Sequence, residues 1–233
     1  MKVGNIAMSL GAYLIYFAIL LILPLWAQMK VKSTYRKYSK EPTSSQVTGA
    51  EVARKILDDN GLYDVTIEEV QGTLTDHYDP RSKTVRLSSG NYHGRSMAAA
   101  AVAAHEVGHA LQHAEEYAFL KFRTNLVPLA SFGSSASFYI ILAGIIFSSM
   151  NLLLIGIIFM AFAVLFQLVT LPVEFNASSR AMDQLVTTGL ILNNEERDTK
   201  KVLDAAALTY VAAALVAVAE LLRFILIFLA NRD

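Results

Sequence analysis

Cysteine is missing altogether from this 233-residue chain, and so is any net charge, with 20 Lys and Arg balancing 20 Asp and Glu. Without thiols there is no disulfide framework, no thiolate metal site and no cysteine nucleophile, so any bound metal must rest on His, Asp or Glu. Without a basic excess the chain lacks the electrostatic footprint of a nucleic-acid binder, and nucleic acid is set aside as a partner. There is no internal repeat and no low-complexity tract. Polar residues are scarce as well: 54% of the chain is hydrophobic and mean hydropathy is +0.41. That is too apolar for an ordinary soluble domain of this length, and the expected class is an integral membrane protein.

The apolar residues are gathered into runs. Ile6 to Trp26 is long enough, at about 1.5 Å per residue, to cross a hydrocarbon core of roughly 30 Å. Lys30, Lys32, Arg36, Lys37 and Lys40 follow it and only Lys2 precedes it, which reads as a retained anchor with the following residues in the cytoplasm. Leu126 to Phe147 and Leu152 to Leu171, joined by Ser148 to Asn151, read as a transmembrane hairpin, with Gly133, Ser134, Ser135, Ala136 and Ser137 small enough for close packing. Ala205 to Ala230 is a fourth span, in which Glu220 and Arg223 can pair one turn apart. Arg180, Arg197, Lys200 and Lys201 again mark the cytoplasmic side, leaving both termini outside.

Between the spans the pattern changes. Thr48 and Glu51 have capping-box spacing ahead of a short amphipathic helix through Val52, Ile56 and Leu57, ended by Asn60 and Gly61. Val65 to Leu74 and Lys83 to Ser88, separated by Asp79, Pro80 and Arg81, read as a β-hairpin, and the second strand as a free edge for an extended substrate. Ser96 is a plausible N-cap for an alanine-rich helix from Met97 to about Phe119. The expected architecture is mainly α, with four transmembrane helices and a small cytoplasmic α+β zincin-like domain. Its segments are an anchor (1–29), a basic linker (30–47), a metallopeptidase region (48–125), a transmembrane hairpin (126–171), a cytoplasmic helix (172–204) and a last transmembrane helix (205–233).

All five histidines, His77, His93, His105, His109 and His113, fall in one stretch. His105, Glu106, Val107, Gly108 and His109 form an H-E-x-x-H sequence inside the expected helix. At i and i+4 the two imidazoles share a face and can reach one Zn²⁺ at about 2.0–2.1 Å. Glu106 borders the open position and can take a proton from the water that attacks a peptide carbonyl. Gly108 costs helix stability, so a close neighbour is expected there. Catalytic zinc usually takes a third protein ligand. A metzincin would place a histidine six residues beyond His109, where Glu115 stands. Glu174 is the candidate instead, because two crossings of the hairpin return it to the side of the histidines; read alone, it is also an ordinary carboxylate in a helix first turn. Pro172 reads as the start of that helix, and Ser178, one turn beyond Glu174, as a hydrogen-bond partner of the cluster. His113 reads as a packing or cleft residue. His77, Tyr92 and His93 are candidates for stabilising an oxyanion, with turn chemistry the simpler reading at Asp79 and Pro80.

Four segments, Asp76 to Pro80, Val102 to Gln112, Pro172 to Ser178 and Leu203 to Ala207, resemble the neutral zinc metallopeptidases of bacterial membranes, of YugP type, over most of the chain. The resemblance implies a multi-pass bacterial membrane protein with one zinc ion held by two histidines and a glutamate, acting on peptides or membrane proteins. The layout is also similar to that of the HtpX and CAAX prenyl protease families, gluzincins in which E-x-x-x-D carries the third ligand and an aspartate behind it; here Ser178 stands in the aspartate position. A different class, a zinc-clipped membrane scaffold or assembly factor without proteolysis, stays open, since an intact site is necessary for activity but not sufficient. An intramembrane protease is disfavoured by Arg95, Glu115 and Glu116, which closely flank the motif helix.

Overall fold

The computed structural model describes residues 9–231. Lys2, the Ile6 start of the first span and the last two residues of the final segment lie outside them. The elements are α1 (Leu10–Tyr38), α2 (Gly49–Asp59), β1 (Thr66–Val70), β2 (His77–Asp79), β3 (Thr84–Ser88), α3 (Ser89–Tyr92), α4 (Met97–Ala114), α5 (Ala118–Ile146), α6 (Met150–Thr187) and α7 (Asn193–Ala230). Among the described residues, α1, α5, α6 and α7 are the four helices long and apolar enough to cross a membrane. The chain forms two compact units, one of Met1–Trp26, Lys121–Leu171 and Tyr210–Asp233, the other of Ala27–Leu120 and Pro172–Thr209.

In the first unit, α5 and α6 approach backbone to backbone. A Cβ on Gly133 would lie 2.7 Å from the Phe159 carbonyl oxygen, and one on Gly144 2.8 Å from the Leu153 nitrogen. Small residues permit this approach, which replaces the hydrophobic drive that lipid does not supply. Of the expected small stretch, Gly133 and Ser137 are buried at the contact and Ser134 and Ser135 face outward. Glu220 pairs with Arg223 and also accepts a hydrogen bond from the Tyr16 hydroxyl at 2.8 Å. In an apolar setting such groups must satisfy one another.

The second unit is built on an ordinary hydrophobic core. Val52, Ile56 and Leu57 of α2, Val85 and Leu87 of β3, Val107 of α4 and Leu185 of α6 are fully buried there. Each such side chain contributes roughly 1.5–3 kcal/mol on burial. Both expected caps form: Thr48 and Glu51 make the reciprocal box on α2, and the Ser96 hydroxyl accepts from Ala99 N on α4.

The structure corrects several expectations. The basic residues Lys30 to Lys37 continue α1 rather than forming a linker. Pro172 does not open a helix but sits inside α6, which runs through it from the apolar run into the polar stretch. Proline costs a helix one hydrogen bond, and spanning helices absorb that cost. α4 ends at Ala114, short of Phe119. Its end is a Schellman turn, with Glu116 N bonded to His113 O and Tyr117 N to Gln112 O, and Glu116 at φ 56° in the position that glycine usually takes.

The largest correction concerns the sheet. β1 and β3 pair in parallel, from Thr66 opposite Thr84 to Val70 opposite Ser88, and β2 pairs antiparallel to β3, giving the order β1-β3-β2. The hairpin exists, but its first arm is His77–Asp79, not Val65–Leu74. Asp79 holds the turn by accepting from Arg81 N and the Ser82 hydroxyl and by pairing with Arg86. Those bonds, first the Arg81 amide and then Ser82 and Arg86, hold its carboxyl down at about 2. β3 is therefore the central strand, with both edges taken, and cannot receive a substrate strand.

Candidate active site

Gly108 explains how α4 meets α6. A Cβ there would fall 2.6 Å from the main-chain oxygen of Ala177, so only glycine lets the two helices close to this distance. Ala177 and Ala181 present the matching small surface and are fully buried. The contact lies within the second unit and sets the polar side chains on either side of it face to face.

His105 and His109 project from α4 one turn apart, their rings 4.9 Å between centroids and nearly perpendicular. Glu174 projects from α6 between them. Its Oε2 lies 3.3 Å from His105 Nε2 and 3.5 Å from His109 Nε2, with the imidazoles 13% exposed and the carboxylate 3%. One ligand atom from each of the three lies within 4.8 Å of the others, so the group could hold a metal ion. The fit to zinc can be tested on these distances. In a tetrahedron with bonds of 2.0–2.1 Å, neighbouring ligand atoms stand about 3.3–3.4 Å apart. The two histidine-to-glutamate separations match that edge. The donor set of two imidazoles and a carboxylate also suits a zinc site that keeps one position open.

The far side of each imidazole is engaged as well. His105 Nδ1 lies 3.2 Å from the Ser178 hydroxyl, and His109 Nδ1 lies 3.0 Å from Gln112 Oε1. Both contacts leave Nε2 facing Glu174. Burial pulls the pKa of His109 down, but its hydrogen bond to Glu174 and the charges of Glu106 and Glu174 outweigh that and leave it above the ordinary value of 6.5. Glu106, next to His105 in α4, is largely buried.

The remaining candidates fall elsewhere. His113 Nδ1 lies 2.9 Å from the Tyr78 hydroxyl of β2, and burial, helped by Asp64 and Asp79, pushes that phenol up to about 12. His77 Nδ1 bonds the Thr75 carbonyl, His93 Nε2 bonds Glu69, and Tyr92 packs edge-on against His93. None of these hydrogen bonds or ring contacts involves His105, His109 or Glu174. The sequence reading assigned no role to Gln112, although its position at i+3 from His109 puts it on the same helical face. Asn176 was also passed over, and nothing in the sequence pattern singles it out.

Comparison with known proteins gives the chain a family. The family described as "Putative neutral zinc metallopeptidase" matches residues 13–229. The chain is 59% identical over 211 residues to the "Putative membrane protease YugP" of Bacillus subtilis (strain 168), covering 91% of this chain and 94% of that protein. No solved structure matches it. With nearly the whole chain matched and a zinc-compatible donor set among its residues, the protein belongs to the neutral zinc metallopeptidase family.

Proposed function

We propose that the protein is a membrane-embedded zinc metalloendopeptidase of gluzincin type that hydrolyses peptides or membrane proteins at the cytoplasmic face. The observation that carries this reading is the convergence of His105 Nε2 and His109 Nε2 on Glu174 Oε2 at 3.3 and 3.5 Å. These three residues would hold the one zinc ion, and when bound there it supplies Lewis acidity to a peptide carbonyl and to water.

The other roles belong to the chain's own groups. Glu106 is the general base that accepts a proton from the attacking water and returns it to the leaving amine. Ser178 and Gln112 hold the two imidazoles with Nε2 forward. The outer edge of β2, which like β1 and unlike β3 has a neighbour on one side only, is an edge available to pair with an extended substrate. Tyr78 of that strand touches His113, one turn beyond His109. Lys30, Lys32, Arg36, Lys37, Arg197, Lys200 and Lys201, all in the second unit, support a cytoplasmic placement of that unit.

The test is Glu106→Gln in the full chain, assayed against a broad peptide library with zinc measured in parallel. The expected outcome is full zinc occupancy with turnover reduced by about 10²–10⁴-fold. Retained turnover would overturn the mechanism. Because the chain has no cysteine, single introduced thiols give an unambiguous labelling test of the orientation.

A further inference from the structure

We infer that Gln112 is a positioning residue that fixes His109 as the Nδ1-protonated tautomer, and that its own orientation is dictated from α6 by Arg180 and the Val173 carbonyl. This deepens the metal-site reading above and rests on it.

Which groups can donate decides the orientation of each amide. Arg180 is a guanidinium and can only donate, and its Nε gives a hydrogen bond to Asn176 Oδ1 at 2.8 Å. That fixes the Asn176 amide with its oxygen toward Gln112. Gln112 Nε2 then donates to Asn176 Oδ1 at 2.9 Å and to the Val173 carbonyl at 2.8 Å. Turned over, the Gln112 amide would set its oxygen against two acceptors, and a main-chain carbonyl cannot rearrange to relieve it. Gln112 is fully buried, so no water could compensate for the loss. Its Oε1 is therefore committed to His109, 3.0 Å away, and an acceptor at that place requires a proton on Nδ1. Nε2 is then the nitrogen that faces Glu174 and that, on losing its proton, offers a lone pair to a metal.

Two features raise this above a generic contact of a ligand histidine. First, Arg180 is anchored in its turn by Glu115, through Nη1 to Oε1 and Nη2 to Oε2, each at 2.7 Å. Glu115 caps the C-terminus of α4, so the chain of contacts leaves α4 at His109 and returns to it at Glu115. Second, Val173 and Asn176 flank Glu174 on α6. The carboxylate ligand and the group that aligns the second imidazole are thus carried by one segment and move together. His105 has no such arrangement, because the Ser178 hydroxyl beside it can donate or accept.

The experiment uses the full chain in detergent or nanodiscs with zinc as the probe. Zinc affinity is measured by chelator competition, and the His109 Nδ1–H resonance is followed by NMR on ¹⁵N-histidine-labelled, zinc-loaded protein. Gln112→Met is expected to weaken zinc about 10–100-fold and to shift or abolish that resonance. Arg180→Met, at a residue 23% exposed and outside the hydrophobic core, is expected to weaken zinc less while moving the same resonance, and it decides the matter should Gln112→Met fail to fold. Wild-type zinc affinity with an unmoved His109 resonance in the folded variants would overturn the inference. Its failure is separable from failure of the metal site. If wild type takes up no zinc, or Glu174→Gln binds it unchanged, the site itself is wrong; if only the Gln112 and Arg180 variants are silent, the relay alone is wrong.

Discussion

A missing Cβ brings helices together in both units of the molecule. At Gly108 the space it would occupy ends 2.6 Å from the Ala177 carbonyl oxygen, and at Gly133 and Gly144 it ends 2.7 Å from Phe159 O and 2.8 Å from Leu153 N. Around Gly144 the neighbouring residues are apolar, with Ile141, Leu153 and Ile157 forming the buried cluster, and beside Gly133 the polar neighbours are serines. Around Gly108 they are His105, His109 and Gln112 on one helix and Glu174, Asn176 and Ser178 on the other. The same packing device joins helices in one unit and sets His105, His109 and Glu174 face to face in the other, and what differs is whether the residues one turn away could hold a metal ion.

Substitutions that act on the two contacts should separate these roles. The largest effect is expected from Glu174→Gln, which removes the only carboxylate of the donor group; zinc measured after dialysis should drop to background, and a full complement would show that Glu174 is not a ligand. Gly108→Val comes next. Overpacking costs about 1–3 kcal/mol, and forcing α4 from Ala177 should also weaken zinc by at least tenfold, because the 3.3 and 3.5 Å separations cannot survive it. Gly144→Val should cost a similar 1–3 kcal/mol in thermal stability but leave zinc affinity of the folded protein unchanged. Equal loss of zinc in the two glycine variants would erase the distinction between the contacts.

Acidity sharpens the comparison further. The pKa of His109 in the metal-free fold is raised, so its protonated form stabilises that fold at pH values below the unfolded 6.5, and this contribution is lost as pH rises through the folded value. Zinc follows the opposite course, since the imidazole must lose its proton to bind. Zinc affinity should therefore decline on acidification from a point above pH 6.5, while the metal-free protein gains relative stability. Chelator competition across about pH 5 to 8 checks the first part and thermal unfolding the second. An affinity flat through that range would mean that His109 does not contact the metal.

Much of this was legible in the sequence, for reasons that can be traced to particular residues. The capping box at Thr48, the N-cap at Ser96 and the apolar runs follow local rules, and the local structure obeys them. Gly108 could be read as a contact because its helix cost needs compensation. Glu174 could be put on the side of the histidines by counting membrane crossings, and the resemblance over Pro172 to Ser178 pointed the same way. What stayed hidden depends on three-dimensional context. The parallel pairing of β1 with β3 leaves no mark in local alternation, because a period of two is the same whichever strand lies alongside. Pro172 carries the same signal at a helix start and inside a spanning helix. The end of α4 was missed because Glu116 takes the left-handed position without being glycine. Gln112 acquires its role from Asn176 and Arg180, more than sixty residues away.

The smallest effect is expected at Ser178, and it bears on the asymmetry between the two imidazoles. The Ser178 hydroxyl lies 3.2 Å from His105 Nδ1, can rotate, and stands beside a histidine that is 13% exposed. When Nε2 binds zinc, Nδ1–H donates to that hydroxyl, and a water can take the hydroxyl's place once it is removed. Ser178→Ala should therefore weaken zinc by less than about tenfold, at or below the low end for partners of ligand histidines. Ser178→Asp would put a carboxylate behind His105 and should tighten zinc by raising the basicity of the ring. Gln112 offers no such substitute, being buried and held by donors whose direction is set elsewhere. Chelator competition on Ser178→Ala and Gln112→Met side by side measures the difference directly. Equal losses would mean that both imidazoles are held with the same stringency, and that the one-way donor chain from Arg180 adds nothing to His109.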